Sequence, residues 1–417
     1  MFLSLFFGFA TLLIGPFVQK NIYFILLFSL VFAIFEFLRG NLLTGFPWNL
    51  IAYSWSWSTE SIQILSLIGS YSFSMISITF FCVPFLFFKK NFNKNNLILI
   101  LFFFIIFVGN YFYGFQKINK NSFNFHEDIN VKIISPSFSL KDYNTRSEIS
   151  QLKRLIKISN PEKNKKTLFI WPEGIFYESY LSEIKEKYKD LFSKNFSKNH
   201  LIVLGINHFK ESENKKNFKY FNSLVVVNNH LEIVSIYNKI NLVPFGEFLP
   251  FENFFSKFGL KKVTSGYNSF SAGDTRQLIG LGSAFKDSSV LPLVCYEIIY
   301  PGKIKTKNQR PNLIINISED AWFGSSIGPH QHYAKAIYRA VEEGVFIARS
   351  ANKGISGFID PSGKSIKFLN ISESGSVMLK MPQFTNSTLF SNYGNKIFFL
   401  TILVYIFLIF IFKRNEI

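Results

Sequence analysis

Five apolar runs decide what this chain can fold into: residues 2–18, 22–38, 62–88, 97–115 and 397–412. A bilayer core is crossed by about 20 mostly apolar helical residues, so each run is a candidate span. Four of them crowd the first 115 positions and one closes the chain, which leaves a long polar middle outside the bilayer. The first run lacks a basic leader and a small-residue cleavage site, and another span follows almost at once. It reads as a retained helix and not as a signal peptide. The expected organisation is a transmembrane bundle of about four helices over 1–115, a water-soluble domain over 116–396, and a terminal helix with a short tail over 397–417.

Composition narrows the class. Of 417 residues, 48% are hydrophobic and 17% charged, against about 25% charged in an average soluble domain. A disordered chain and an ordinary cytosolic enzyme are both excluded. The net charge of +18 comes mostly from lysine beside abundant Asn, Ile and Phe, with no compact basic stripe. It favours contact with anionic lipid over nucleic acid, which is not expected as a partner. Lys89, Lys90 and Lys94 follow the third run, and Lys413 and Arg414 follow the last. Basic loops stay cytoplasmic. The middle region and the 44–60 segment then lie on the opposite face, and by parity so does the amino terminus. Trp48, Trp55 and Trp57 in that segment suit the membrane interface. The two cysteines, Cys82 and Cys295, stand in dissimilar surroundings and are not expected to pair. His330 and His332 lack partners at ligand spacing, so no metal site is expected.

The middle region alternates short apolar runs with amphipathic ones. Strands are expected at 131–134, 167–171, 201–206, 223–227, 290–294, 313–317 and 355–359, and helices at 147–158, 181–192 and 330–348. Cys295 ends one strand in Leu293-Val294-Cys295-Tyr296-Glu297, where a thiol faces either a cleft or a core. Glu173 ends another behind Trp171 and Pro172, an odd place for a solvated charge. It reads as a general base with a burial-raised pKa or as a helix cap. Lys239 precedes Val243-Pro244-Phe245-Gly246-Glu247. A positioned ammonium lowers a thiol pKa and steadies an oxyanion, though a lysine in so basic a chain is ordinarily solvated. Glu247 either orients that lysine or faces water. Phe245, Phe248, Phe251, Phe254, Phe255 and Phe258 crowd the stretch that follows, as core or as an apolar lid.

Taken together, WPEG, YNKINLVPFGEFLP, VCYEIIYPG and NISEDAWFGSSIGPHQH resemble the apolipoprotein N-acyltransferases, a membrane-bound branch of the nitrilase (carbon–nitrogen hydrolase) superfamily. The likeness runs over about 131–363. It extends into the membrane part through Glu36-Phe37-Leu38-Arg39-Gly40 and Thr44-Gly45-Phe46-Pro47-Trp48-Asn49. It implies an α/β fold, a four-layer α-β-β-α sandwich on a helical bundle. It also implies Cys295 as nucleophile, Glu173 as general base and Lys239 as stabiliser of the tetrahedral intermediate. Glu247, Tyr296, Glu297, Asn222 and Trp322 would support the site or contact substrate.

The implied reaction moves an acyl chain from a membrane phospholipid, through a Cys thioester, to the α-amino group of a diacylated apolipoprotein. No cofactor or metal takes part. The setting would be the bacterial inner membrane, multi-pass, with a monomeric enzyme whose catalytic domain is periplasmic. Two departures stand out. Ser135-Pro136-Ser137 replaces the family's Gln-x-Asn stretch, and Tyr143 is the nearest substitute for the Trp that follows it. The bundle is also about three spans short of what the resemblance implies, from a shortened form or a start that is not the natural one. The rival readings are a tethered amidase acting on a small soluble amide and an inactive lipoprotein-binding protein.

Overall fold

The computed structural model describes residues 2–88, 94–211, 218–252, 257, 259, 269–304 and 309–414. Side-chain alternation along the strands builds its layers. In β1 (Phe125–Ser135), Ile129, Val131 and Ile133 face one way and Ile134 the other. In β2 (Lys166–Ile170), Leu168 and Ile170 join the first set and Phe169 the second. β3 (His200–Glu211) repeats this with Leu201 and Val203 against Ile202 and Leu204. Strands buried on both faces read as near-continuous apolar runs, which is why these were legible.

With β4 (Phe218–Val227), β5 (Ile233–Asn238) and β12 (Gly375–Pro382), they form a six-stranded sheet in the order β12-β1-β2-β3-β4-β5. A second six-stranded sheet runs β11-β10-β9-β8-β7-β6. Its strands are β6 (Ile279–Gly280), β7 (Ser289–Val294), β8 (Leu313–Glu319), β9 (Phe346–Asn352), β10 (Ser356–Ile359) and β11 (Ser365–Leu369). In each sheet a parallel centre, β1-β2-β3 or β7-β8-β9, is flanked by antiparallel strands. Val290, Val294, Ile315, Ile317 and Phe346 pack against the inner residues of the first sheet. The outer face of the first sheet is covered by α6 (Glu148–Ser159) and α7 (Leu181–Asn195), after a single turn α5 (Asp142–Thr145). The second is covered by α8 (Gly328–Glu343). The expected four-layer sandwich is present.

One expected helix is wrong at its end. The 330–348 segment stops at Glu343, because Gly344 adopts a left-handed φ of 64° that closes a helix without a Cβ clash. Val345 then leads into β9, whose apolar start had read as more helix. Strands β5, β6, β11 and β12 were not foreseen. β6 has two residues, and β5, β11 and β12 are largely half-exposed, so none carries a clear apolar run.

The bundle comprises α1 (Phe2–Ile14), α2 (Ile22–Asn41), α3 (Leu65–Cys82) and α4 (Lys94–Lys120). A short helix α9 (Leu389–Tyr393) leads into α10 (Lys396–Arg414). Among the described residues, four stretches are long and apolar enough to cross a membrane: Ile22–Asn41, Ser61–Phe88, Lys94–Lys120 and Lys396–Arg414. α1 is shorter than the span expected for 2–18, since Gly15-Pro16 breaks it into a 3-10 turn. Lys89 and Lys90 lie outside the described residues.

Helix α8 is shared between the two parts of the molecule. One face covers the second sheet, while Tyr338 and Val341 enter the core of the bundle. α3 kinks at Gly69 (φ 72°, ψ 173°), and a Cβ there would fall 2.0 Å from the Phe390 ring. The kink frees the Ser70 amide, which donates to Glu342 Oε1 at 2.7 Å. Arg339, paired with Glu342 at 2.8 Å, also donates to Ser70 Oγ at 2.7 Å. The three tryptophans of the 44–60 segment part company. Trp57 is 77% exposed. Trp55 is buried and donates to Ser77 Oγ at 3.0 Å. Trp48 docks on α8, donating to Gln331 Oε1 at 2.7 Å.

Candidate active site

The candidate residues converge where β2, β5 and β7 end. Glu173 follows β2 through Trp171 and Pro172, with the Trp171 indole donating to Ser159 Oγ at 3.0 Å. The Glu173 backbone lies so close to β3 that a Cβ on Gly205 would fall 2.7 Å from its Cα. Glycine is required there for packing. Glu173 Oε1 accepts from Asn222 Nδ2 at 2.6 Å, and Oε2 from the Glu319 amide at 3.0 Å. Lys239 follows β5, its amide donating to the Asn222 carbonyl at 2.9 Å. The Lys239 ammonium is 1% exposed, 2.9 Å from Glu247 Oε1 and 3.9 Å from Glu173 Oε1. Asn222 Nδ2 also donates to Glu247 Oε1 at 2.8 Å, and the Val243 amide fixes Glu247 Oε2 at 2.8 Å. One amide therefore ties both carboxylates to the lysine between them.

Cys295 forms the elbow between β7 and a 3-10 turn, with a left-handed φ of 50° that non-glycine residues rarely adopt. Its carbonyl accepts from Asn316 Nδ2 at 3.4 Å and from His332 Nε2 at 3.3 Å. Burial pulls His332 toward its neutral form. Its Nδ1 lies 3.0 Å from both Asp320 Oδ1 and Arg349 Nη2, so the ring joins the Cys295 carbonyl to a buried ion pair. Asp320 Oδ2 pairs with Arg349 at 2.7 Å and Oδ1 accepts from Ser318 Oγ at 2.7 Å.

The electrostatics suit proton transfer. Burial raises the pKa of Glu173, opposed by the Lys239 charge and helped by Glu247. Burial alone would lower Lys239, but Glu247, Glu173 and Cys295 outweigh it and hold the ammonium charged. Burial pushes the Cys295 thiol well up, with Glu173 adding to the rise and Lys239 opposing it. Burial thus favours the thiol form of Cys295, and a thiol becomes a strong nucleophile only when a base takes its proton.

Glu173, Lys239, Glu247 and Asn222 are thus brought together, with Glu173 and Lys239 close enough to act electrostatically on Cys295. The remaining candidates lie elsewhere. Glu297 is buried beneath the elbow. Its Oε1 accepts from Tyr237 Oη (2.7 Å), Arg276 Nη2 (2.7 Å) and the amides of Ile240 (3.0 Å) and Asn241 (3.2 Å). Oε2 accepts from the Val294 amide at 2.9 Å. It joins the residue after Lys239 to the residue before Cys295. Tyr296 donates to the Gly45 carbonyl at 3.0 Å. Trp322 is 61% exposed on the 3-10 turn Ala321–Phe323. Phe245 and Phe251 are also exposed, each at a left-handed φ, while Phe254, Phe255 and Phe258 lie outside the described residues.

Sequence reasoning missed Glu319. It is buried, and its Oε2 accepts from Tyr143 Oη at 2.6 Å and from Asn352 Nδ2 at 3.0 Å. Burial raises its pKa to about 8, a rise to which the Glu173 charge adds. The only signal was its place at the end of an apolar strand, in Ser318-Glu319-Asp320.

Residues 151–390 match the carbon–nitrogen hydrolase family profile, and residues 1–83 match the apolipoprotein N-acyltransferase N-terminal domain. The apolipoprotein N-acyltransferase of Rickettsia prowazekii (strain Madrid E) is 34% identical over 97% of this chain and 79% of its own length. That of Brucella melitensis biotype 1 is 31% identical over 91% of this chain and 71% of its own. Among solved structures, an amidase from Nesterenkonia sp. AN1 covers 63% of this chain and 94% of its own, at 14% identity and a TM-score of 0.42. Matched in both its membrane and its catalytic part, the chain belongs to the apolipoprotein N-acyltransferase family of the carbon–nitrogen hydrolase superfamily.

Proposed function

We propose that this N-acyltransferase of lipoproteins works through a Cys295 thioester, with a membrane phospholipid as acyl donor. Glu173 takes the thiol proton as sulfur attacks the ester carbonyl. The oxyanion that forms is stabilised by the Lys239 ammonium, which Glu247 and Asn222 hold in place. Collapse breaks the ester C–O bond, and the departing alkoxide takes the proton from Glu173 to leave as lysophospholipid. The α-amino group of the diacylated N-terminal cysteine then attacks the thioester and gives up a proton to Glu173. The C–S bond breaks, the amide forms, and the thiolate recovers its proton.

The observation that carries this reading is the buried Glu173–Asn222–Lys239–Glu247 set, with its lysine charge acting on a partly buried, elbow-mounted thiol. The bundle supplies access, since both substrates are lipid-anchored and a cleft held at the bilayer surface shortens their search. The exposed apolar faces of α4 and α10 suit a multi-pass protein in lipid. The basic residues Lys94, Lys413 and Arg414 favour a cytoplasmic placement for their helix ends, and so a periplasmic catalytic domain. We take 1–115, 116–396 and 397–417 as the functional divisions and the monomer as the working unit.

The test is incubation with phospholipid alone. The protein should gain one acyl mass, release lysophospholipid and lose the adduct to hydroxylamine, and Cys295→Ala should gain nothing. An adduct that persists in Cys295→Ala, or transfer that requires both substrates at once, would sink the two-step route.

A further inference from the structure

Resting on that reading, we infer that Glu36 and Arg39, at the C-terminal end of α2, are positioning residues for the nucleophile. Ionisable side chains in a membrane helix are costly to bury and call for a role. Both are buried, at 1% and 4% exposure. Neither touches the cleft. They clamp the loop that follows α2. Glu36 Oε1 accepts from the Ile51 amide at 3.0 Å, and Oε2 accepts from Ser74 Oγ of α3. Arg39 Nη2 donates to the Asn49 carbonyl at 3.0 Å, and its own carbonyl accepts from the Phe46 amide at 2.8 Å.

The segment held between these points is the floor of the Cys295 elbow. The Gly45 carbonyl accepts from Tyr296, the residue after the nucleophile, at 3.0 Å and from Tyr300 at 3.1 Å. Phe46 stacks on Tyr296 with ring centres 6.4 Å apart. The Trp48 ring lies 5.6 Å from the imidazole of His332, whose Nε2 holds the Cys295 carbonyl. The loop has little freedom of its own: Gly45 sits at a φ of 73°, and a Cβ there would fall 2.3 Å from the Gly40 carbonyl oxygen. A continuous set of contacts thus runs from a carboxylate and a guanidinium in the bundle to the Tyr296 side chain and, through Trp48 and His332, to the Cys295 carbonyl. Its role is to hold the strained elbow in register with Glu173 and Lys239, so its loss should appear in the chemical step and not in phospholipid binding.

The experiment uses full-length protein in phospholipid–detergent micelles, in a Cys82→Ala background. Acyl-enzyme formation is followed against phospholipid concentration, with all rates per folded molecule. Glu36→Ala and Arg39→Met should lower the saturating rate by ~10–100-fold, the scale on which small misplacements act, with the half-saturating concentration little changed. The pH profile of Cys295 alkylation by iodoacetamide should shift in both variants. Glu36→Gln keeps an acceptor for the Ile51 amide and should retain most of the rate. Should Glu36→Ala and Arg39→Met fail to fold, Ser74→Ala and Gly45→Ala decide, and each should lower the saturating rate. Wild-type saturating rates with an unchanged alkylation profile in the variants that fold would overturn the inference, as would a loss confined to half-saturation. If the wild type forms no hydroxylamine-labile adduct, the thioester reading fails instead, and the alkylation profile still tests the positioning claim.

Discussion

Glu297→Gln is the substitution whose effect the geometry defines best. The carboxylate accepts from four donors on Oε1 and from the Val294 amide on Oε2. Glutamine has one oxygen. If that oxygen serves the four donors, the new NH2 meets the Val294 N–H, and a buried amide beside the nucleophile is left unsatisfied. Such a group costs about 1–3 kcal/mol. If the amide turns over, four donors lose their acceptor, which is worse. In either pose Arg276 loses its charge partner at 2.7 Å, although the Lys303 carbonyl and Tyr237 Oη still accept from it. Breaking a buried pair costs about 3–5 kcal/mol, so a total near the lower end, ~3 kcal/mol, is expected. The disturbance falls on Val294 and Ile240, next to Cys295 and Lys239. Acyl-enzyme formation should therefore drop ~10–100-fold even in the folded fraction. Tyr237→Phe removes one donor and should change the rate less than about threefold. Stopped incubations with phospholipid, read by intact mass beside thermal melts, measure both quantities. Glu297→Gln acylating at the wild-type rate with an unchanged melting temperature would refute the assignment of Glu297 as the brace between the two segments.

Three further outcomes are expected. Lys239→Met should slow acyl-enzyme formation by about 10²–10³-fold, the loss typical of one oxyanion donor, in the same mass assay. Since burial raises the Glu173 pKa, the acylation rate should climb with pH through a limb displaced above the ordinary carboxylate range, and Glu173→Gln should abolish that limb. Asp320 is buried, which alone would raise its pKa, yet Arg349 and His332 hold it below its ordinary 3.8. A depressed folded pKa contributes stability above the unfolded value that is lost as pH falls beneath it. The wild-type melting temperature should thus fall more steeply than that of Asp320→Asn below about pH 4.

Much of this was legible because burial and chemistry left local marks. Glu173 and Cys295 each end an apolar strand, and strands sandwiched between two layers must be apolar throughout, whereas Lys239 follows the half-exposed β5 and was marked by its place before Val243-Pro244-Phe245-Gly246-Glu247. The helix at 181–192 was read nearly whole, since Leu181, Ile184, Tyr188 and Phe192 mark one buried face. What stayed hidden depends on contacts distant in the chain. β12 pairs with β1 across most of the domain and carries too few buried residues to announce itself. The end of α8 depends on a single φ at Gly344. Glu297 and Tyr296 were singled out for their place after Cys295, but nothing in VCYE tells a brace from a reacting group. Only the fold turns one toward the Lys239 loop and the other toward Gly45.

The kink at Gly69 has a consequence for how the molecule comes to be made. A helix broken in a bundle exposes an amide that lipid cannot satisfy. The Ser70 N–H finds its acceptor on Glu342, 272 residues later in the sequence. Until synthesis reaches α8, the third helix holds an open hydrogen bond, and until the bundle is in place, Glu342 and Arg339 have a polar partner missing. The membrane half and the aqueous half therefore share one buried polar cluster, and each completes the other's hydrogen bonding.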